Sequence, residues 1–438
     1  MERTTSAEDL TQQLPDDLLA NVFRRLRTTS PSLAAPRCSD NDGEDDVGGG
    51  SDAATTRRPA RQCFRRLRTT SPRRAGPRCV CKAWRAIIDG RRLLKDLPSY
   101  SLTGIFFHLN GEPLPRYFSP ASSSVNIDPL DYVDTGSDAI KCLAITQHCN
   151  GLLLLNDGDC KESWVLNPAT RQWTHLPTPP PMCTPGMEDV DHVDRYMDFH
   201  DRYLVFDPAV SPHYEVFLSK YVPFIPLSDI NKLVDPRIQE REWPPSIFVL
   251  LVFSSRTTRW EERSFVREGE AAGTIRNMLH VPPSNHWYAA YWQGSLYYRQ
   301  HGVFMRVNLS NHNYQVIKPP KGSQKYLFGH YLGKSKNGVY CALDHGPKLR
   351  IWYLVETGDQ IKWVLKCSIN DSSYHKTLLG FHPNKETVFV FQRPSKRVMA
   401  YHFNSSKTED LGPLTADRVW LSFPYTLCLM GELSSNKQ

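Results

Sequence analysis

The 438-residue chain is most restricted by what it lacks. No apolar run approaches the roughly 20 residues that span a bilayer; the densest stretch is only Ile247 to Phe253. The opening residues, MERTTSAEDL, contain no apolar stretch of signal-peptide type,. An intracellular protein of the cytoplasm or nucleus, without membrane contact, is therefore expected. There is no CxxC pair among the 11 cysteines: Cys79 and Cys81 are one residue apart, and Cys142, Cys149 and Cys160 lack tight ligand spacing. Reduced thiols are expected, with no metal and no cofactor. Neither GxSxG nor HExxH occurs,. Gly333-Lys334-Ser335 resembles the end of a phosphate-binding loop, but Phe328 stands where that loop needs its first glycine. A hairpin turn is the better reading there.

A net positive charge is also lacking outside one segment. Residues 57–92 hold thirteen Lys and Arg against Asp89 alone, whereas the rest of the chain has 40 basic and 45 acidic residues. A protein that coats nucleic acid over a whole face would be basic throughout, so nucleic acid is not an expected partner. Residues 187–201, MEDVDHVDRYMDFHD, gather six acids with His192 and His200. The expectation there is a solvated acidic loop rather than a cation site.

What is present begins with LPDDLLANVFRRL, 14–26. Pro15 suits the first helical position and Asp16 and Asp17 suit the first turn, where the helix dipole favours negative charge. Leu18, Leu19, Val22, Phe23 and Leu26 then form one apolar stripe at helical spacing. An internal duplication follows: FRRLRTTSPSLAAPRC at 23–38 returns at 64–79 with 13 of 16 positions identical. The intervening 39–63 has almost no large apolar residue and cannot bury enough surface to order itself. The second copy runs into VCKAWRAIIDGRRLL, 80–94, where Val80, Trp84, Ile87 and Ile88 again recur at helical spacing,.

From about residue 100 the chain changes to short runs rich in Val, Ile, Tyr, Phe and Trp, punctuated by Gly, Pro, Asn and Asp,. Residues 142–157 and 163–177 read as hairpins turning at Asn150-Gly151 and Asn167-Pro168. Similar units appear at 203–219 with 247–266, then at 287–318, 326–367 and 377–412. Several share a turn formula: NPATRQW, SSRTTRW, LSNHNYQ, NSSKTED. The last strand, Arg418 to Met430, can close against the first, Ser101 to His108. Repeats of this length, each of four short strands, predict a six-bladed-like β-propeller, with one or two large β-sandwiches as the alternative. Interruptions at 111–140, 178–200, 221–246 and 267–286 are expected as loops on its faces.

In this order the phrases LPDDLLANVFRRL, VCKAWRAIIDGRRLL, HCNGLLLL and NPATRQW resemble plant F-box proteins with a β-rich F-box-associated domain. The fold class expected is an α+β multidomain protein. It comprises a tail at 1–13, a helical F-box at 14–98 with a disordered insert at about 39–79, a β-propeller-like domain at 99–432, and a tail at 433–438. The resemblance implies a non-catalytic substrate receptor of a ubiquitin ligase, docked on a Skp-type adaptor and through it on a cullin–RING scaffold. The residues implied in adaptor binding are Leu14, Pro15, Leu18, Leu19, Val22, Phe23, Leu26, Val80, Cys81, Trp84 and Ile88. Tyr196, Phe224, Trp243 and Trp287, in the face loops, are candidate contacts for a protein substrate. The chain departs from the family pattern between Leu26 and Val80, where 53 residues replace a short second helix. That motivates a hybrid F-box, with its first helix from copy one and its last from copy two. A binding propeller, or a propeller enzyme with a degenerate F-box, is the competing reading.

Overall fold

The structure, a computed structural model, describes residues 102–120, 143–157, 162–182, 200–281, 288–323, 329–345, 348–357, 360–370, 376–405, 407–428 and 433. The chain divides into two units, 1–99 and 100–438. All described residues belong to the second, so the expected F-box at 14–98 lies outside them.

The described residues are mostly β, with three short helices. Six antiparallel arrays of three or four strands, numbered as sheets I–VI, follow one another, the third and fourth joined through one parallel strand pairing into a single eight-stranded sheet. Sheet I takes β1 (Leu102–Leu109), β2 (Arg116–Phe118) and β25 (Val419–Thr426), in the order β2-β1-β25. Sheet II is the meander β3 (Leu143–Cys149), β4 (Leu152–Asp157), β5 (Ser163–Asn167), β6 (Gln172–His175). Sheet III comprises β7 (His200–Val205), β8 (Glu215–Lys220), β10 (Ile247–Ser254) and β11 (Arg259–Glu268). Sheet IV comprises β13 (Ala290–Trp292), β14 (Ser295–Gln300), β15 (Val303–Asn308) and β16 (Asn313–Ile317). Sheet V comprises β17 (His330–Ser335), β18 (Gly338–His345), β19 (Lys348–Thr357) and β20 (Gln360–Asn370). Sheet VI comprises β21 (Lys376–Phe381), β22 (Thr387–Gln392), β23 (Arg397–His402) and β24 (Thr408–Pro413).

Six apolar cores lie between consecutive sheets and form a closed cycle. Phe106 and Phe423 of sheet I pack on Leu153 and Trp164 of sheet II. Leu154 and Val165 then meet Val216 and Phe253, and Phe217 and Phe248 meet Tyr298 and Met305. Phe304 of sheet IV meets Val339 and Cys341 of sheet V, and Tyr340 and Ile351 meet Phe381 and Val390 of sheet VI. Phe389 and Val398 return to Ile105 and Phe107 of sheet I. Each sheet thus buries both faces. This is why β4, Leu152–Asp157, reads as an unbroken apolar run and is buried at every position,. Alternation of exposed and partly covered positions persists along the outer strand β20.

The long connections that build the cap, 221–246 and 267–281, fall on one face together with the short turns 301–302 and 393–396; most of the other described hairpin turns gather on the opposite face. The first strand of each of sheets II–VI, and β25 of sheet I, end at a short-turn face; for sheet II its turns are 150–151 and 168–171. Asn150 and Gly151 both have positive φ, 46° and 91°, as the tight Asn-Gly hairpin requires,. A Cβ on Gly151 would collide with Cys428 and the Thr426 carbonyl. The tail beyond β25 crosses here: the Asn167 side-chain amide donates to the Cys428 carbonyl at 3.1 Å, and Leu433 is buried between sheets II and III.

Two expectations change. The 221–246 connection is not a plain loop. Together with 267–281 it folds into a cap of β9 (Glu242–Trp243), β12 (Gly273–Thr274), α1 (Ile230–Leu233), α2 (Pro236–Gln239) and α3 (Ile275–Leu279), with its own core of Val222, Ile225, Ile238, Trp243 and Met278. Gly333-Lys334-Ser335 is not a turn but the end of β17; the turn is Lys336–Asn337.

Candidate functional site

The inner strands β3, β7, β13, β17, β21 and β25 surround the axis of the ring, where function concentrates if the ring is hollow. It is nearly filled. Among the described residues a cavity of ≈ 40 Å³ lies there, lined by His148, Asn150, Tyr291, Tyr331, Lys334 and Phe381 among others. A water needs about 10–15 Å³, so the axis admits a few waters or a very small molecule.

Aromatic packing does the filling. The rings of Tyr288 and Tyr331 lie 3.9 Å apart between centroids, and Tyr331 meets Phe381 edge-on at 5.7 Å. The Tyr331 hydroxyl donates to the Ser422 carbonyl at 3.3 Å. Gly380, at φ +129°, lets Pro424 and the Tyr331 hydroxyl approach closer than any Cβ would allow.

The polar groups at the axis bond to one another. The Lys334 ammonium donates to Asn150 Oδ1. The Asn150 amide donates to the Phe206 carbonyl at 2.6 Å, and the Cys149 thiol donates to that carbonyl at 3.2 Å. Burial lowers the Lys334 pKa, against the opposing influence of Cys149 and Asp207. Burial, with Lys334 nearby, lowers His148 to about 4, so its imidazole is neutral at pH 7. Burial raises the Cys149 thiol, which keeps it protonated and a poor nucleophile,. Among the described residues no three His, Cys, Asp or Glu side chains group to hold a metal ion.

The faces offer more room. On the short-turn side, an open groove of ≈ 440 Å³ runs past Val210, His213, Arg256 and Leu309. Its charged wall is self-neutralised: Arg263 is bidentate to Glu215, at 3.0 and 2.5 Å. On the opposite face the cap exposes Phe224, Leu227 and Leu233, with Leu227 at 72%.

Of the four substrate-contact candidates, Phe224 is 43% exposed on the cap. Trp243 corrects the expectation, since it is completely buried. Its indole stands edge-on to His301 at 4.7 Å inside the cap core, because the apolar residues of 221–246 need a centre to pack on. Tyr196 and Trp287 lie outside the described residues, as do all eleven adaptor-binding candidates and most of the acidic run 187–201. From that run Asp201 is described: it accepts from the Tyr203 hydroxyl at 3.2 Å, and burial raises its pKa to about 7. Leu227 and Leu233 were missed by sequence reasoning, because an exposed leucine in a polar loop carries no distinguishing signal.

The fold and axis define a class: a mostly-β ring of six sheets with a filled centre and usable faces. No protein-family model and no curated protein matches the chain. Among solved structures, β-propeller-like folds align over most of the chain at low identity. One is a protein provisionally named a 6-phosphogluconolactonase, from Bacteroides fragilis, at 12% identity and TM-score 0.33, covering 74% of this chain and 98% of that one. A nidogen/laminin complex aligns at 8% identity and TM-score 0.34, over 73% and 97% of the two chains. Apo AztD from Citrobacter koseri aligns at 9% and 0.31, over 74% and 98%.

Proposed function

We propose that the chain is the substrate-recognition subunit of a Skp–cullin–F-box ubiquitin ligase, with 99–432 a six-bladed β-propeller that holds the target protein. The observation that carries this reading is the filled axis. The axial cavity among the described residues, ≈ 40 Å³, is too small for a protein segment, which favours recognition at the faces. Such a body supports a receptor whose work is to orient a partner rather than to transform it. The sequence supports the same reading through LPDDLLANVFRRL and VCKAWRAIIDGRRLL ahead of the ring. Ubiquitin transfer then relies on proximity: a rigid receptor raises the local concentration of a target lysine near the charged E2.

Co-expression of the full chain with a Skp-type adaptor tests the proposal. One-to-one co-elution on size exclusion is expected. Leu18→Asp should abolish it while leaving the β-sheet circular dichroism and thermal midpoint of the ring unchanged. Deleting 39–79 should maintain or strengthen the complex, since the hybrid F-box loops that segment out. Separate elution of the wild-type chain, or full retention by Leu18→Asp, would overturn the assignment.

A further inference from the structure

The short-turn end of the axis holds a charge that the chain leaves without a counter-charge. The recess of ≈ 40 Å³ is walled by five inner strands, which bring His148 (β3), Tyr291 (β13), Lys334 (β17), Phe381 (β21) and Thr426 (β25) to one place. Among the described residues that line it, Lys334 is the one charged side chain. Its ammonium carries three protons and donates once, to Asn150 Oδ1; no carboxylate of a described residue lies within ion-pair reach. Asp207 acts on it from farther away, and one oxygen of that carboxylate already accepts from the Ala209 N–H at 2.9 Å. A buried cation in this position is costly until an anion joins it.

Two neutral donors line the same recess. Neither the Tyr291 hydroxyl nor the His148 imidazole has a hydrogen-bond partner among the described residues. Burial, with Asp207, Cys149 and Glu215 adding to it, raises Tyr291 to about 12 and keeps its hydroxyl protonated. The neutral His148 ring retains one N–H,. The acceptors close by are already taken: Asn150 Oδ1 by Lys334, and the Phe206 carbonyl by Asn150 and Cys149. Donors and positive charge are thus in surplus at one point, beside the apolar walls of Tyr331, Phe381 and Pro424.

We propose that this recess binds a weakly hydrated monovalent anion of halide size, chloride or bromide, against the Lys334 ammonium and the free donors of Tyr291 and His148. The anion supplies the charge that no described carboxylate supplies, and it accepts from groups that the chain leaves over. Size and walls set the selectivity. A space for a few waters has no room for phosphate or sulfate, and apolar walls favour an ion that sheds its water readily. The lysine of Gly333-Lys334-Ser335 thus meets an anion without the loop that a phosphate needs. Because its donors come from β3, β13 and β17, the bound ion ties sheets II, IV and V together at the axis. The site is independent of the adaptor assignment, and so is its test.

The probe is chloride alone. The full chain is placed in sodium gluconate and titrated with sodium chloride at fixed ionic strength, so that general screening stays constant. Excess broadening of the chloride NMR line is expected, saturating in the millimolar range, reversed by bromide and not by sulfate. The thermal midpoint should rise over the same range, since the ion binds the folded ring only. Lys334→Met keeps the apolar stem and removes the charge; it should lose both the excess broadening and the chloride-dependent part of the midpoint. Tyr291→Phe deletes one hydroxyl and should weaken chloride about threefold. This second variant decides the matter should Lys334→Met not fold. Absence of bromide-reversible broadening in the parent, equal broadening in folded Lys334→Met, or an unchanged affinity in Tyr291→Phe would each overturn the proposal.

Discussion

Trp243 and Phe224 belong to one connection and have opposite fates: the indole is at the centre of the cap core and the phenyl faces solvent. Sequence alone could not part them, because an aromatic in a long connection reads the same whether it folds inward or outward. A usable signal was nevertheless there. Val222, Ile225, Ile230, Val234 and Ile238 recur every three to five residues, too regularly for a segment without a core. Trp243→Ala should therefore cost about 3–5 kcal/mol, the usual range for a buried large aromatic. Phe224→Ala should stay within about 0.5 kcal/mol as an exposed change. Urea unfolding of both variants checks the pair; comparable losses would show that the two residues share an environment. Gly151 was the opposite case. An Asn-Gly pair between apolar runs announces its own turn, and the positive φ at both positions follows from it,.

The turn formula is the best example of an element read correctly from sequence. In NPATRQW and SSRTTRW, and in LSNHNYQ together with the Asn308 that precedes it, a side-chain acceptor at the strand end is followed four residues on by a left-handed residue: Asn167 and Arg171, Ser254 and Thr258, Asn308 and His312. Asn167 Oδ1 accepts from the Ala169 N–H at 3.1 Å, Ser254 Oγ from Arg256 at 3.3 Å, and Asn308 Oδ1 from Ser310 and Asn311 at 3.0 Å each. Local chemistry of this kind is legible because donor and acceptor lie within a few residues of each other. The second bond of Asn167, to Cys428, was not legible, since its partner is more than 250 residues away. It nonetheless makes Asn167 the costlier position: Asn167→Ala should lose about 1–3 kcal/mol by orphaning buried groups, whereas Asn308→Ala, in an exposed turn, should lose less than about 1 kcal/mol. Denaturant midpoints decide this, and an equal loss at both sites would mean that the tail contact contributes nothing.

At the scale of the whole ring, the sequence conveyed a succession of short strands and the pairing of the last strand with the first, because each depends on strands that announce themselves. It could not convey that β11 and β16 zip two sheets together or that the axis fills, since both depend on side chains meeting from distant repeats. The same distant packing also governs stability against acid. Burial lowers His108, His148 and His382 to about 4 and His330 to about 3, from 6.5 in an unfolded chain. Two of them are committed to the neutral form by geometry: His108 Nε2 accepts from Ile145 N–H at 2.9 Å, and His382 Nδ1 accepts from Asn384 and Lys385 in the turn after β21. Above about pH 6.5 these groups are neutral in both states and contribute no pH dependence. Below it the unfolded chain takes up protons that the ring refuses, so stability falls until about pH 4, by up to about 1.4 kcal/mol per histidine per pH unit. At pH 5 that is about 2 kcal/mol each. Asp201 works the other way: with its pKa raised to about 7, the ring holds a proton that the unfolded chain releases above about 4, so acidification from pH 7 to 5 returns about 3 kcal/mol,. Four histidines outweigh one aspartate, and a net loss of about 5 kcal/mol is expected, a large part of a typical domain's stability. Urea midpoints at pH 7 and pH 5 measure it. His108→Gln, which keeps an acceptor for the Ile145 amide but cannot titrate, should reduce the slope by the share of one histidine. A midpoint that does not fall between those two pH values would mean that these imidazoles accept protons within the folded ring.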